Sequence, residues 1–271
     1  MNARIRRQSD KPAPPQKSGD HHDYQDVPRV ITAFGSEKKA GSYNEPHSHP
    51  RGQLLYASKG LMRVASASGI WFLPPQRGLW IPAGVVHDQA MLSDTRIRTL
   101  YIAQNKAAQF GTRVKVVEVD ALLRELILAL VDQPILYPDS APNRSIVTLI
   151  LDKLGQSPTL PIEIPWPQDR RLVSICGQIL ESPADPRTIE QWSDVVGAST
   201  RTLIRLFLKD TGMTYRQWVQ QVRLAHALTM LEAGTPVNRI ADELGFASPS
   251  AFSAMFKRML GGAPRHFRDA D

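Results

Sequence analysis

The strongest constraint on the fold of this chain is a repeat near its C-terminus. WSDVVGASTRTLIRLFLKDTGMTYRQW, from Trp192 to Trp218, is echoed by IADELGFASPSAFSAMFKRMLGGAPRHF, from Ile240 to Phe267. With Phe207 placed on Phe256, Gly212 falls on Gly261, Arg216 on Arg265 and Trp218 on Phe267. Gly197 meets Gly245 after one inserted residue. Each copy reads as a short helix, a turn at glycine and a second helix. A glycine just past a helix supplies the positive φ that closes its C-terminus without a Cβ clash. Ser199 and Ser248 stand where an N-cap belongs, and Pro249 takes the first helical position, where a missing N–H is harmless. Tyr215 to Gly234 reads as one long helix joining the copies. The pattern is that of two helix-turn-helix units on a shared spine.

The second helix of such a unit enters a DNA major groove. In the first copy Leu203, Leu206 and Phe207 form the buried stripe, while Arg201, Arg205 and Lys209 recur at i, i+4 and i+8 on another face. Guanidinium forks suit both the guanine edge and phosphate oxygens. In the second copy Phe252, Met255, Phe256 and Met259 form the inner stripe, and Ser250, Ser253, Ala254 and Lys257 face out. One basic stripe alone is commonly an ordinary solvated helix face; two units in tandem favour DNA. The joining helix would hold both recognition helices on one side of the duplex, about one turn or roughly 34 Å apart. Bulk charge says less. The formal net charge is +7 and the pI about 9.7, yet from Gln168 onward Lys and Arg barely outnumber Asp and Glu. Local placement carries the expectation.

The rest of the chain divides by pattern. Residues 1–26 are polar and read as a disordered tail, with His21 and His22 as solvated residues rather than ligands. Residues 27–119 are β in character: QLLYAS, LMRVAS, IWFLP, GLWIP, IRTLYIA and VKVVEV are short apolar or alternating runs separated by turn residues, as in a sandwich or barrel. At Asp120 the period changes. ALLRELILALVD is a helix with Asp120 as N-cap, and a second helix is expected near Ser145–Leu154. Residues 120–157 thus form a helical region that either mediates dimerisation or packs on the barrel's own outer face. Four prolines between Pro158 and Pro167 mark residues 158–168 as an extended linker. Residues 169–271 are helical, with Cys176 on an apolar stripe of RRLVSICGQILES. A single cysteine cannot form an internal disulfide, so a reducing cytoplasm is expected. No apolar run is long enough to span a bilayer, and the basic N-terminus lacks the apolar core of a secretory signal.

STRTLIRLFLKDTGMTYRQWVQQVRLAHALTML and VNRIADELGFASPSAFSAMFKR resemble the signature of the AraC/XylS family of bacterial transcription regulators, across almost the whole DNA-binding domain from about Arg170 to Arg268. The resemblance implies a seven-helix module. In it Arg201, Ile204 and Arg205 take the base-facing positions of the first unit, and Ser250, Ser253 and Ala254 those of the second. Ile204 could touch only a thymine methyl, and Ala254 stands where a polar or basic residue is common. Ser199, Thr202, Lys209, Ser248 and Lys257 complete the candidate DNA-contacting set.

At the other end, Gly41-x5-His47-x-His49-x3-Gln53-x6-Gly60 resembles the first cupin motif, with Gln53 where a glutamate usually stands. Pro82-x-Gly84-x2-His87 resembles the core of the second. The whole chain resembles AraC-type regulators with such a sensor domain. This implies an α+β two-domain protein: an N-terminal cupin-like β-barrel (a double-stranded β-helix) and a C-terminal all-α double helix-turn-helix domain. His47 and His49 alternate along a strand and should face the barrel mouth together, with His87 approaching from a second strand. His47, His49, Gln53 and His87 are the candidate ligands of a divalent transition metal, Zn²⁺, Ni²⁺ or Fe²⁺. The same residues, with Tyr56, Trp80 and Trp71, could instead line a metal-free pocket for a small-molecule effector, or the histidines could be satisfied by neighbours in a turn. The implied partners are operator DNA, an effector, a second copy of the chain and, for an activator, RNA polymerase. The expected function is transcription regulation without catalysis; the alternative is a metal-dependent cupin enzyme with an accessory DNA-binding domain.

Overall fold

The computed structural model describes residues 17–73, 75, 77–160 and 163–267. Eight strands come first: β1 (Ile31–Lys38), β2 (Tyr43–His47), β3 (Gly52–Lys59), β4 (Met62–Ser66), β5 (Gly69–Leu73), β6 (Arg77–Ile81), β7 (His87–Met91) and β8 (Thr95–Ile102). A short helix α1 (Gln104–Ala107) and strand β9 (Lys115–Glu118) follow, then α2 (Ala121–Val131), α3 (Ala141–Gln156) and two short strands, β10 (Thr159–Leu160) and β11 (Ile164–Pro165). The sheets run in the orders β1-β8-β3-β6-β9-β10 and β11-β5-β4-β7-β2. All their pairings are antiparallel.

Strand alternation decides what each side chain meets. In β3, Leu55 and Ala57 join the interior cluster with Val64 and Leu79. Leu54 and Tyr56 point the other way, into a cluster with Trp80, Leu123, Ile127, Leu130, Ile150 and Leu154. Helices α2 and α3 therefore cover the outer face of the six-stranded sheet, which explains why most of β3 is buried on both sides. Asp120 caps α2 as expected, accepting from Leu123 N at 2.8 Å, and its carboxylate pairs with Lys153 of α3. Helix α3 begins earlier than its apolar periodicity suggested, capped by Ser140 with Pro142 in its first turn. Proline needs no hydrogen-bond acceptor there.

Two expectations are corrected. Residues 17–26 are not a free tail. His21–Tyr24 form a 3₁₀ turn, and Tyr24 is buried with its ring 5.2 Å from that of Phe34. The guanidinium of Arg51, itself buried, donates to Gln25 O (2.7 Å), Arg29 O (2.9 Å) and Val27 O (2.5 Å). Three backbone carbonyls and one buried charge thus fix this segment on the barrel; residues 1–16 of the expected tail lie outside the described residues. The proline-rich stretch is extended, as expected, but it is docked. Thr159–Leu160 pairs with Val116–Val117 of β9, and Ile164–Pro165 with Gly69–Ile70 of β5. Pro165 is tolerated because β11 is a sheet edge.

The C-terminal half contains α4 (Arg170–Glu181), α5 (Ile189–Val196), α6 (Thr200–Thr211), α7 (Tyr215–Glu232), α8 (Val237–Glu243) and α9 (Pro249–Leu260). A 3₁₀ turn at Pro264–Phe267 stands where the resemblance implied a seventh helix. The repeat is visible in the backbone: Gly197 after α5 has φ 64 and Gly245 after α8 has φ 69. Leu203, Leu206 and Phe207 of α6, and Phe252, Met255 and Phe256 of α9, are buried, while Met259 is half-buried. Cys176 lies in the same core, its thiol pKa pushed up by burial. The core continues into the barrel: Ile164 and Trp71 belong to the cluster containing Trp218, and Trp218 Nε1 donates to Pro165 O at 2.8 Å. Asp210 at the end of α6 accepts from the backbone N–H groups of Gln168 (3.1 Å) and Asp169 (3.0 Å).

Candidate nucleic-acid interface and sensor pocket

On α6 the capping hydroxyl of Ser199 accepts from Thr202 N at 3.2 Å and lies 2.9 Å from Thr202 Oγ1. Both hydroxyls are therefore engaged with each other at the helix start. Arg201, Ile204, Arg205, Leu208 and Lys209 are exposed beyond them. Elsewhere in this half, Arg171, Arg187 and Arg239 are neutralised by Asp169, Asp185 and Glu243. Among the described residues Arg201, Arg205 and Lys209 have no such carboxylate partner. An uncompensated basic stripe on a helix whose opposite face is buried suits a polyanion. Helix α9 presents a milder face. Ser248 is used as its cap, accepting from Ala251 N at 3.1 Å. Ser250, Ala254 and Lys257 are exposed and Ser253 half-exposed. Arg258 is tied back to Gln220 of α7 at 3.1 Å.

The barrel mouth gathers histidines from separate segments. Strand β2 ends at His47, which is paired across to His87 at the start of β7, and the register shifts between Asn44 and His47. His49 lies beyond the strand rather than alternating within it, in a turn held by Gly84 N donating to His49 O at 2.8 Å. The rings still converge. Centroids are 4.5 Å apart for His47 and His87, 4.9 Å for His47 and His49, and 5.5 Å for His49 and His87. His21, set aside in the sequence as part of the tail, comes within 5.2 Å of His49 and 5.5 Å of His47. Only its fixed 3₁₀ turn brings it there, and nothing in local composition signals that.

Hydrogen bonding sets the tautomers. A carbonyl can only accept, so His47 Nδ1, 2.6 Å from Glu45 O, and His87 Nδ1, 3.0 Å from Val85 O, carry the proton. In the neutral form of either ring the lone pair is then on Nε2. His49, His87 and Gln53 are only 4, 2 and 2% exposed, yet His49 Nε2, His87 Nε2 and Gln53 Oε1 have no hydrogen-bond partner among the described residues. Buried polar atoms are rarely left so. Burial and the neighbouring imidazoles lower the His49 pKa to about 3, and chiefly burial lowers that of His87 to about 4. Both rings are neutral at physiological pH and can act as acceptors.

A cavity of about 370 Å³ opens beside this cluster, lined by His21, His47, Gln53, Gln89, Thr99 and Tyr101 among others. Gln89, Thr99 and Tyr101 were not singled out from sequence; they face inward by strand alternation, which becomes readable only once the register is known. Tyr56 and Trp80, expected in this pocket, are not in it. They lie on the outer face of the sheet, packed under α2 and α3, with Trp80 Nε1 donating to Gly111 O at 3.3 Å. Trp71 is buried in the core shared with the C-terminal helices. A second cleft of about 680 Å³ lies between Ala65–Ser68, Val85–Asp88, Thr112–Val114 and Glu163. His87, expected in the first pocket, lines this second cleft instead.

Comparison with known proteins matches both halves. A family described as "AraC-like ligand binding domain" matches residues 34–157, and one described as "Helix-turn-helix domain" matches residues 192–270. The chain is 31% identical over 221 residues to the HTH-type transcriptional regulator NimR of Escherichia coli (strain K12), covering 82% of this chain and 81% of that protein. It is 28% identical over 219 residues to the HTH-type transcriptional regulator RipA of Corynebacterium glutamicum, covering 79% of this chain and 61% of that one. Among solved structures, ToxT from Vibrio cholerae aligns over 89% of this chain and 99% of its own, at 11% identity and a TM-score of 0.38.

Proposed function

The chain belongs to the AraC family of helix-turn-helix transcription regulators with an AraC-like ligand-binding domain, and on that premise we propose how its residues divide the work. Helix α6 makes the dominant contact with operator DNA. Arg201 and Arg205 read base edges or phosphates, Ile204 meets a thymine methyl and Lys209 meets phosphate. Ser199 and Thr202 flank the backbone at the helix start. Helix α9 adds a weaker contact through Ser250, Ser253, Ala254 and Lys257, with Ser248 at its start. The observation that carries this is the unpaired basic stripe of α6 beside arginines that are neutralised elsewhere in the same half. The test is selection of duplexes from a randomised library by the full chain, followed by titration of the selected duplex over a range of salt. Affinity falling steeply with salt supports groove docking, because phosphate contacts release counterions. A flat dependence overturns it and revives the cupin-enzyme reading.

The effector binds in the 370 Å³ cavity of the barrel mouth, against His47 and Gln53, which line it; the rings of His49 and His87 pack against that of His47. It acts on DNA binding through the docked proline-rich stretch, which is hydrogen-bonded to the sheets on one side and to Asp210 and Trp218 on the other. Such coupling requires that the effector bind two arrangements of the halves with different affinity. The protein acts as a cytoplasmic homodimer, and contacts RNA polymerase where it activates. Leu122 of α2 and Leu149 of α3 remain exposed after the helices have covered the barrel, which favours this face as the subunit contact. Sedimentation of wild type and Leu149→Lys tests it: an unchanged dimer in the variant moves the contact elsewhere. Among the described residues no helix is long and apolar enough to cross a membrane.

A further inference from the structure

We propose that this protein binds one divalent transition-metal ion in an all-imidazole site whose ligands include His21, supplied by the segment that precedes the barrel, together with His47, His49 and His87. The regulatory sense of this rests on the barrel mouth being the effector site; the binding itself does not depend on any reading of α6 or α9.

Three observations carry the proposal. The first is convergence. The ligand nitrogens of His21, His47 and His49 lie within 4.8 Å of one another, and the His87 ring is 4.5 Å from that of His47. Zinc bound at about 2.0–2.1 Å from each nitrogen needs only a modest contraction of such a set. The half-buried His21 is the side chain with room to move.

The second is orientation. A metal-bound histidine uses one ring nitrogen and directs the other at an oxygen that fixes the ring. His47 Nδ1 donates to Glu45 O and His87 Nδ1 to Val85 O. His21 Nδ1 faces the carboxylate of Asp20 at 3.8 Å. In all three the Nε2 atom is left for a ligand. The third is the unsatisfied interior: His21 Nε2, His49 Nε2, His87 Nε2 and Gln53 Oε1 are buried without partners. One cation would satisfy the three imidazole lone pairs at once, with the Gln53 amide oxygen available as a further donor.

The donor set selects the ion. Imidazole nitrogens without carboxylate or thiolate suit Zn²⁺, Ni²⁺ or Cu²⁺ rather than Mg²⁺ or Ca²⁺. The placement of His21 is not accidental to the fold. Its turn is capped by Asp20, which accepts from His22 N at 2.8 Å, and is anchored by buried Tyr24 and the Arg51 clamp. Metal would therefore join the N-terminal segment to β2 and β7 of the five-stranded sheet.

The experiment is calorimetric titration of metal-stripped, full-length protein with Zn²⁺ alone, and separately with Ni²⁺. Wild type is compared with His21→Gln, His22→Gln and His49→Gln. The expected result is one saturable equivalent in wild type and His22→Gln, at least tenfold weaker binding in His21→Gln and none in His49→Gln. Zn²⁺ should also raise the melting temperature of wild type more than that of His21→Gln. His21 is near the surface, so this variant tests the idea even if His49→Gln does not fold. Absence of saturable binding in wild type overturns the proposal. So does a His21→Gln protein that binds like wild type, or a loss in His22→Gln equal to that in His21→Gln, which would mean a chelate at the His-His pair only. Binding of the same preparations to a selected duplex is measured alongside. Lost metal binding with intact DNA binding refutes only the metal site.

Discussion

Along α6 the residues offered to a partner lie on one face of a single helix; at the barrel mouth they arrive from the N-terminal turn, the end of β2, the turn after it and the start of β7. The two regions also treat polar atoms differently. On α6 the cationic groups are exposed and solvated, and the hydroxyls of Ser199 and Thr202 satisfy each other. In the barrel, His49 Nε2, His87 Nε2 and Gln53 Oε1 are buried and unmatched. A solvated surface site costs the fold little, so its residues can be replaced without loss of stability. A buried site with unmatched groups costs stability until its ligand arrives.

That contrast can be tested in descending order of effect. Phe207→Ala removes the fully buried ring behind the basic face of α6 and should cost about 3–5 kcal/mol of stability. Denaturant unfolding checks it; a cost near zero would mean α6 is not held from behind. Arg205→Ala should weaken binding to a selected duplex by roughly 1–3 kcal/mol while shifting stability by no more than about 0.5 kcal/mol. Unchanged affinity would remove Arg205 from the interface. Gln53→Leu, of similar volume, replaces an unmatched buried amide and should stabilise the ligand-free protein by about 1 kcal/mol, read as a higher urea midpoint. Destabilisation would show that Gln53 is satisfied in solution and would erase the contrast. Lys209→Ala should lower the salt slope of DNA binding by about 1, the smallest change of the four.

The same contrast governs what could be read in advance. A helix repeats its contacts every three or four residues, so Leu203, Leu206 and Phe207 inside and Arg201, Arg205 and Lys209 outside are legible from spacing. The capping serines, the glycines at positive φ and α7 were legible for the same reason. In the barrel, the strands at QLLYAS, IRTLYIA and VKVVEV were legible, but not which face of each lay inward. Tyr56 and Trp80 were misplaced on that account: a strand buried on both faces carries apolar residues at every position, and its composition does not label the inside.

By itself the sequence determined the local elements and the family: helix periodicity, caps, turn glycines and the spacing of His47, His49 and His87 are short-range properties that adjacent residues impose on one another. Tertiary structure alone decided that His21 joins the histidine cluster, that Thr159–Leu160 and Ile164–Pro165 become a short strand on each sheet, and that Tyr56 and Trp80 look outward. These outcomes depend on contacts between residues far apart in the chain, such as Arg51 with the carbonyls of Gln25 and Val27 or Trp218 with Pro165. Such contacts form because burial leaves each donor a single acceptor within reach, and no local pattern encodes which one it will be.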